Sequence, residues 1–252
     1  ELTSTKNLYV NVSKGFSTPT VDETLTPQGL INTTLKPEIG WNYEVGFKGN
    51  WFKNLYSEIA LYSIQVNDLL VAERVAEDQY VGANAGKTDH NGIEVLLKYN
   101  WQLSPKISLQ PYASANFNFY KFDEFVDEGE DYSGNDLTGV PDQKINLGID
   151  LVTESGFRFF SNALFVSEIP LNDANSLYSD SYQLINLKAA YDFTVFQDFE
   201  INLNVGVNNL LDEHYAVSIL PNAVGFGNSE PRYYYPGNDR NFYGGVGVKY
   251  LF

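Results

Sequence analysis

The chain has 252 residues and a net charge of −16, from 16 basic and 32 acidic side chains. That sign argues against a nucleic-acid partner, because affinity for phosphate comes mainly from lysine and arginine. With no cysteine there is no disulfide framework and no thiolate site, and no apolar run reaches the ~18–20 residues of a spanning helix.

Ten segments alternate apolar and polar residues, the period of a strand lying between two environments. The first runs from Asn7 to Phe16, with Leu8, Val10 and Val12 opposed to Tyr9, Asn11 and Ser13. The second opposes Trp41, Tyr43, Val45 and Phe47 to Asn42, Glu44, Gly46 and Lys48. The third, Leu55 to Val66, reads ambiguously; Tyr62, Ile64 and Val66 are expected on its apolar face. The fourth puts Ile93, Val95, Leu97 and Tyr99 against Glu94, Leu96 and Lys98, and the fifth Leu109, Ala113, Ala115, Phe117 and Phe119 against Gln110, Tyr112, Ser114, Asn116 and Asn118.

The sixth segment opposes Ile145, Leu147, Ile149 and Leu151 to Lys144, Asn146, Gly148 and Asp150. The seventh, Phe157 to Val166, is less regular; the eighth turns Ile185, Leu187, Ala189, Tyr191 and Phe193 one way. The ninth has Phe199, Ile201, Leu203, Val205 and Val207 against Glu200, Asn202, Asn204, Gly206 and Asn208, and the tenth ends at Phe252.

Connections between these segments are short and long in strict turn. Tight turns fall near Asn50–Asn54, Gln102–Lys106, Thr153–Gly156 and Val195–Asp198; long ones near Ser17–Gly40, Asn67–Lys87, Asp123–Gly139, Ser167–Ser181 and Leu211–Arg240. One rim of the sheet therefore carries only turns and the other only loops, the asymmetry of an outer-membrane barrel. The strand charges (Glu44, Lys48, Glu94, Lys98, Lys144, Asp150, Glu200) fall on the polar face. Inside a dry core they would be costly; around a wet lumen they are not. Aromatics mark both ends of the strands: Trp51, Trp101, Phe157, Phe193, Phe199, Tyr250 and Phe252 at the turn rim, Phe16, Trp41, Tyr43, Phe119 and Phe242 at the loop rim. Two girdles are expected at two membrane interfaces. The fold class expected is all-β, an antiparallel transmembrane β-barrel portion of about ten strands. It would be part of a larger barrel, with short periplasmic turns and long extracellular loops.

Three blocks resemble the TonB-dependent outer-membrane receptors. Gly15-Phe16-Ser17-Thr18-Pro19 is followed by Leu35-Lys36-Pro37-Glu38 and by Asn42-Tyr43-Glu44-Val45-Gly46-Phe47-Lys48. Gly206-Val207-Asn208-Asn209-Leu210-Leu211-Asp212-Glu213-His214-Tyr215 is similar to the block before the family's final strands, and the last strand ends in Phe252. The motif positions carried by this resemblance are Pro37, Glu38, Glu44, Gly46, Asn209, Leu210, Asp212, Tyr215 and Phe252. Members of the family combine a plug domain with a barrel of about 22 strands, so residues 1–252 are expected to be the C-terminal barrel segment, with the plug domain outside this chain. The resemblance implies an outer-membrane location in a Gram-negative-type bacterium and contact with outer-membrane lipid. It also implies energy supplied by TonB-ExbB-ExbD through the missing N-terminal part, and assembly by the barrel assembly machinery through the C-terminal strand.

Function is then expected to be uptake of a scarce small-molecule metal chelate, an iron-siderophore complex being the leading expectation. A passive porin and a soluble β-sheet binding or adhesion module are the alternatives. Candidate ligand contacts in the extracellular loops are Tyr132, Arg232 and Tyr233, since phenols grip apolar area with a polar tip and guanidinium holds carboxylate or catecholate oxygens. For Tyr234, Tyr235 and Arg240 the resemblance favours instead the upper girdle and the start of the last strand. The acidic loop Asp123–Gly139 offers Asp127, Glu130 and Asp131 as weak metal candidates, matching no EF-hand spacing. No cofactor and no metal site are expected. The resemblance disfavours haem, because haem receptors of the family carry a histidine between the blocks at Gly15–Pro19 and Asn32–Leu35, and none lies between Pro19 and Asn32 here. An enzyme is not expected either: no nucleophile elbow, zinc-binding helix motif or phosphate loop occurs.

Overall fold

A strand buries its backbone polar groups only by pairing, and a two-residue period fixes which face each side chain takes. The computed structural model describes residues 5–76, 79–84, 86–127, 129–225, 227 and 229–250. Ten long strands form one antiparallel sheet: β1 (Lys6–Ser17), β2 (Glu38–Trp51), β3 (Leu55–Asn67), β4 (Lys87–Tyr99), β5 (Ile107–Glu124), β6 (Gln143–Thr153), β7 (Phe157–Val166), β8 (Tyr182–Val195), β9 (Phe199–Asn208) and β10 (Asn241–Tyr250). Spatial order is chain order throughout, and the short strand Trp101–Ser104 lies beside β5. Among the described residues β1 pairs only with β2 and β10 only with β9, so the sheet is open.

The turns and loops segregate as expected. The β2–β3 turn places Phe52 and Lys53 at φ 50° and 68°, and the β8–β9 turn places Phe196 and Gln197 at 54° and 66°. Two successive left-handed residues are what a type I′ hairpin needs to match strand twist. At the other rim the connections carry small ordered pieces: the one-turn helix Val21–Thr24, capped reciprocally by Thr20 and Glu23, and the hairpins Leu70–Ala76 with Gln79–Asn84 and Ala216–Ile219 with Tyr234–Pro236.

Register makes the two faces continuous. Leu8, Phe47, Ile59, Val95, Ala115, Ile145 and Phe165 form one row across seven strands on the apolar face. This face is open: Val10 is 73% exposed, Val205 63% and Val248 64%. Fully buried apolar side chains among the described residues are few, and Phe122, Phe125, Val166 and Leu171 of them sit at the loop end. A water-soluble sheet of this size would bury its apolar face; here the dry packing lies under the loops.

The third strand corrects the sequence reading. Tyr62 pairs with Glu44 on one side and Gly92 on the other, which puts Tyr62, Ile64 and Val66 on the polar face. Ile59 and Leu61 point to the apolar side instead, paired with Phe47 and Val45. Ser57 shares that side and is hydrogen-bonded by Trp51 Nε1 at 2.9 Å, which removes the cost of its hydroxyl there.

Aromatic pairs mark the two ends of the apolar face. Phe47–Trp51, Tyr99–Trp101, Tyr191–Phe193 and Phe199–Tyr250 lie at the turn end, and Trp41–Tyr43 at the loop end. On the edge strand Lys6 Nζ lies 3.8 Å from the Trp51 ring centre and Lys14 Nζ 5.4 Å from that of Trp41. The apolar stretch of β1 is thus bracketed by two lysine–tryptophan contacts, each chain stem lying along apolar surface with its charge at the end. Phe252 lies outside the described residues.

Candidate ligand-binding crown

The five long connections form two bonded bodies. In the first, the Leu35-Lys36-Pro37-Glu38 block joins connections 18–37 and 68–86. The Lys36 amide donates to Asn84 Oδ1 at 2.8 Å, while Asn84 Nδ2 donates to the Lys36 and Asp68 carbonyls at 2.9 and 2.8 Å. Glu38 Oε1 accepts from the Leu70 amide at 2.7 Å, and Pro37 stands between the two braces. Conformation explains the residue types: proline fixes φ and offers no donor, so side-chain amide and carboxylate do the joining.

In the second body three connections meet on Asp173. Its carboxylate accepts from Thr138 Oγ1 and, at 2.9 Å, from Asn222 Nδ2; its carbonyl accepts from Asn135 Nδ2 at 2.7 Å. Asn175 Nδ2 donates to the Asp136 carbonyl at 3.0 Å. Beneath them Leu171 is fully buried and its carbonyl accepts from the Asn222 amide at 2.9 Å. Connections 125–142, 167–181 and 209–240 are therefore one unit. At the loop ends of β4 and β5, the adjacent strands that lead into the two bodies, Lys87 and Glu124 form an ion pair at 2.8 Å.

The Asn209 block is a clamp rather than a contact surface. Asn209 is 3% exposed in a left-handed conformation, and its side chain donates to the Glu213 and Asn238 carbonyls and accepts from the Glu213 amide. The Leu210 carbonyl accepts from Arg240 Nη1, and Asp212 accepts from the Arg240 amide at 2.8 Å and its guanidinium at 3.3 Å. Tyr215 lies over Gly237, and Glu44 and Gly46 line the polar face beside Tyr9. Arg240 is thus a brace just before β10, as the resemblance implied, whereas Tyr234 and Tyr235 do not start the last strand: they pair with Ile219 and Ser218 in the hairpin of connection 209–240.

The three ligand candidates do not converge on one point. Tyr132 packs on Phe125 at 6.1 Å within its own loop. Arg232 is exposed, and the Tyr233 carbonyl accepts from the Leu220 amide at 2.9 Å. Asp127 and Glu130 are cross-strand partners in a two-residue hairpin. Asp131 accepts from the Ser133 amide at 2.9 Å, and hydrogen bonding from Ser133, hydroxyl first and amide second, holds its carboxyl below the usual range. Among the described residues no group of three His, Cys, Asp or Glu is placed to hold a metal.

Sequence reasoning missed a cluster on the polar face below the loops. Tyr62 and Tyr120 share a hydrogen bond of 2.7 Å, the His90 ring stacks on Tyr120 at 4.7 Å, and Asn118 Nδ2 donates to the Pro141 carbonyl at 2.8 Å. Glu58, of the same parity as Tyr62, was the available signal. Charge also partitions sharply. Connections 18–37, 68–86, 125–142, 167–181 and 209–240 hold 19 of the 32 acidic residues but four of the 16 basic ones, so nearly all the net charge lies at this rim.

A chain-order antiparallel meander with one polar face, one open apolar face and all long loops on one rim is a portion of a large β-barrel. The family model for the TonB dependent receptor-like β-barrel matches residues 1–210, and the chain belongs to that family. The ferric-pyoverdine M114 receptor PbuA of Pseudomonas sp. (strain M114) is 38% identical over 74 residues, 27% of this chain and 9% of that protein. The ferric citrate transporter FecA is similar with a TM-score of 0.73 at 23% identity, over 100% of this chain and 37% of that one. The ferric yersiniabactin uptake receptor FyuA of Yersinia pestis gives 0.69 at 20% identity, over 100% and 36%. The chain thus spans little more than a third of these solved structures. Their names describe receptors and transporters, not enzymes.

Proposed function

We propose that this chain is the C-terminal wall of an outer-membrane receptor that captures a ferric siderophore and imports it with energy from TonB. Family membership carries this reading, and the ferric cargo named for PbuA and FyuA supports the choice of an iron chelate. The faces agree with it: the open apolar face suits lipid, the polar face suits a plugged wet lumen, and the bonded loops suit capture from outside. In this reading the two free edges pair with further strands of the same barrel, because unpaired backbone is untenable in hydrocarbon. The plug and the TonB-contacting segment belong to the missing part, and the last strand engages the assembly machinery.

The test is growth of a strain deleted for the full-length gene on a panel of single ferric chelates under iron limitation. Loss of growth on one chelate, restored by the gene and not in a strain lacking TonB, is the expected result. Unchanged growth on all of them, with free diffusion of small sugars through the purified protein, would replace the receptor by a porin.

A further inference from the structure

We propose that a cleft between connections 167–181 and 209–240 binds an alkylammonium group, which, if the receptor reading holds, is carried by the cargo. The cleft has a volume of about 280 Å³ and is lined by Ser179, Asp180, Tyr182, His214, Tyr215 and Tyr234 among others. Three tyrosines line it, each from a different element. Tyr182 opens β8, Tyr215 closes the Asn209 clamp, and Tyr234 begins the hairpin strand opposite Ala216–Ile219. The Tyr182 and Tyr215 ring centres are 5.1 Å apart at 34°, so the pair presents a tilted wall rather than a flat stack.

Aromatic faces carry partial negative charge and attract cations, and a ring cage is how proteins hold organic ammonium groups. Asp180 adds a full negative charge to this wall; its carboxylate is exposed and takes no partner among the described residues. No lysine or arginine lines the cleft, and the nearby Arg240 is committed to Asp212 and the Leu210 carbonyl. A catecholate or carboxylate guest would meet like charge with no lysine or arginine to offset it, and a neutral guest would desolvate Asp180 without a partner. An ammonium satisfies both the rings and the carboxylate.

The charge partition is an independent observation with the same sign. The surrounding loops are acidic far beyond the cleft itself, and such a field raises the local concentration of cations and opposes polyanions.

The experiment titrates n-butylammonium and, in parallel, its neutral analogue n-pentanol into the purified full-length receptor in detergent, read by saturation-transfer NMR. The ammonium should bind at least tenfold more tightly than the alcohol. Asp180→Asn should abolish that preference and Tyr234→Leu should weaken it, while Glu230→Gln, at an acidic residue elsewhere in the connection that holds Tyr234, should leave it intact. Both tested side chains are exposed, and unchanged heat-modifiable gel mobility reports intact barrels. Equal binding of the two probes, no binding of either, or full preference in Asp180→Asn would overturn the proposal. Growth on ferric chelates is read separately. A receptor that prefers the ammonium yet supports growth on no chelate keeps the cleft and loses the siderophore, and the reverse result keeps the siderophore and loses the cleft.

Discussion

Tyr62 covers Gly92. The two are direct cross-strand partners, and a Cβ on Gly92 would lie 2.3 Å from Tyr62 Cζ. Tyr9 with Gly46, Tyr112 with Gly148 and Tyr243 with Gly206 repeat the arrangement, all on the polar face. Each ring fills the gap left by a residue without a side chain, restoring contact that glycine otherwise forfeits in a strand. In Gly92→Ala the ring end must swing away and its hydrogen bond with Tyr120 is strained. The expected cost is ~1 kcal/mol. Urea unfolding of the receptor in micelles would show it, and the loss should shrink in a Tyr62→Ala background.

The two faces make opposite predictions for neighbouring residues. Val205 is exposed on the apolar face, whereas Asn204 Nδ2 donates to Asn202 Oδ1 at 3.1 Å on the polar one. Val205→Arg should impair assembly by ~2–4 kcal/mol near mid-bilayer, and Asn204→Arg should be tolerated. Folded yield in isolated outer membranes measures both, and equal yields would reverse the assigned facing.

Asn209→Ala removes a buried side chain with three hydrogen bonds and leaves their partners unsatisfied. It also forces alanine into a left-handed conformation at φ 51°. A loss of ~2–4 kcal/mol is expected from these two effects together, with connection 209–240 becoming sensitive to limited proteolysis. Asn209→Gly, which removes the strain but not the lost bonds, should recover part of it.

Asp173→Ala should loosen three connections at once. Loss of the carboxylate's bonds from Thr138 and Asn222 should raise hydrogen exchange in 125–142, 167–181 and 209–240 together, and leave it unchanged in 18–37 and 68–86, which are braced through Asn84 and Glu38. Exchange confined to 167–181 would show that the loops are independent.

Asp142 gives a pH prediction. Burial first, then the like charges of Asp136 and Glu168, push its carboxyl above the ordinary value, against an opposing Lys121. A carboxyl raised in the folded state binds its proton more tightly there than in the unfolded chain, so its ionisation at neutral pH works against folding. Asp142→Asn should therefore raise stability at pH 7, and the gain should vanish below the unfolded-state pKa near ~3.9. Denaturant midpoints at the two pH values measure it.

Much of this was legible because membrane strands separate their residue types so cleanly. Eight of the ten facings follow from parity, the seventh strand being too irregular to assign, since residues such as Ile145 and Lys144 can exchange environments only at great cost. β3 was not legible because tyrosine, isoleucine and valine serve on both faces, and because Ser57 sits on the apolar side with its hydroxyl satisfied by Trp51. The turn at Phe196 and Gln197 was placed by length alone, as it carries none of the glycine or asparagine that its backbone favours. The Asn209 clamp was visible as a motif. The meeting of Tyr182, Tyr215 and Tyr234 was not, because it depends on how connections 167–181 and 209–240 fold against each other.

That fold-over bears on the kinetics of capture. With Asp173 tying connection 167–181 to connection 209–240, the two walls of the proposed cleft are braced against each other before any guest arrives. Encounter then sacrifices little chain entropy, and association should follow a single exponential whose rate climbs as salt is withdrawn, with no slow rearrangement behind it.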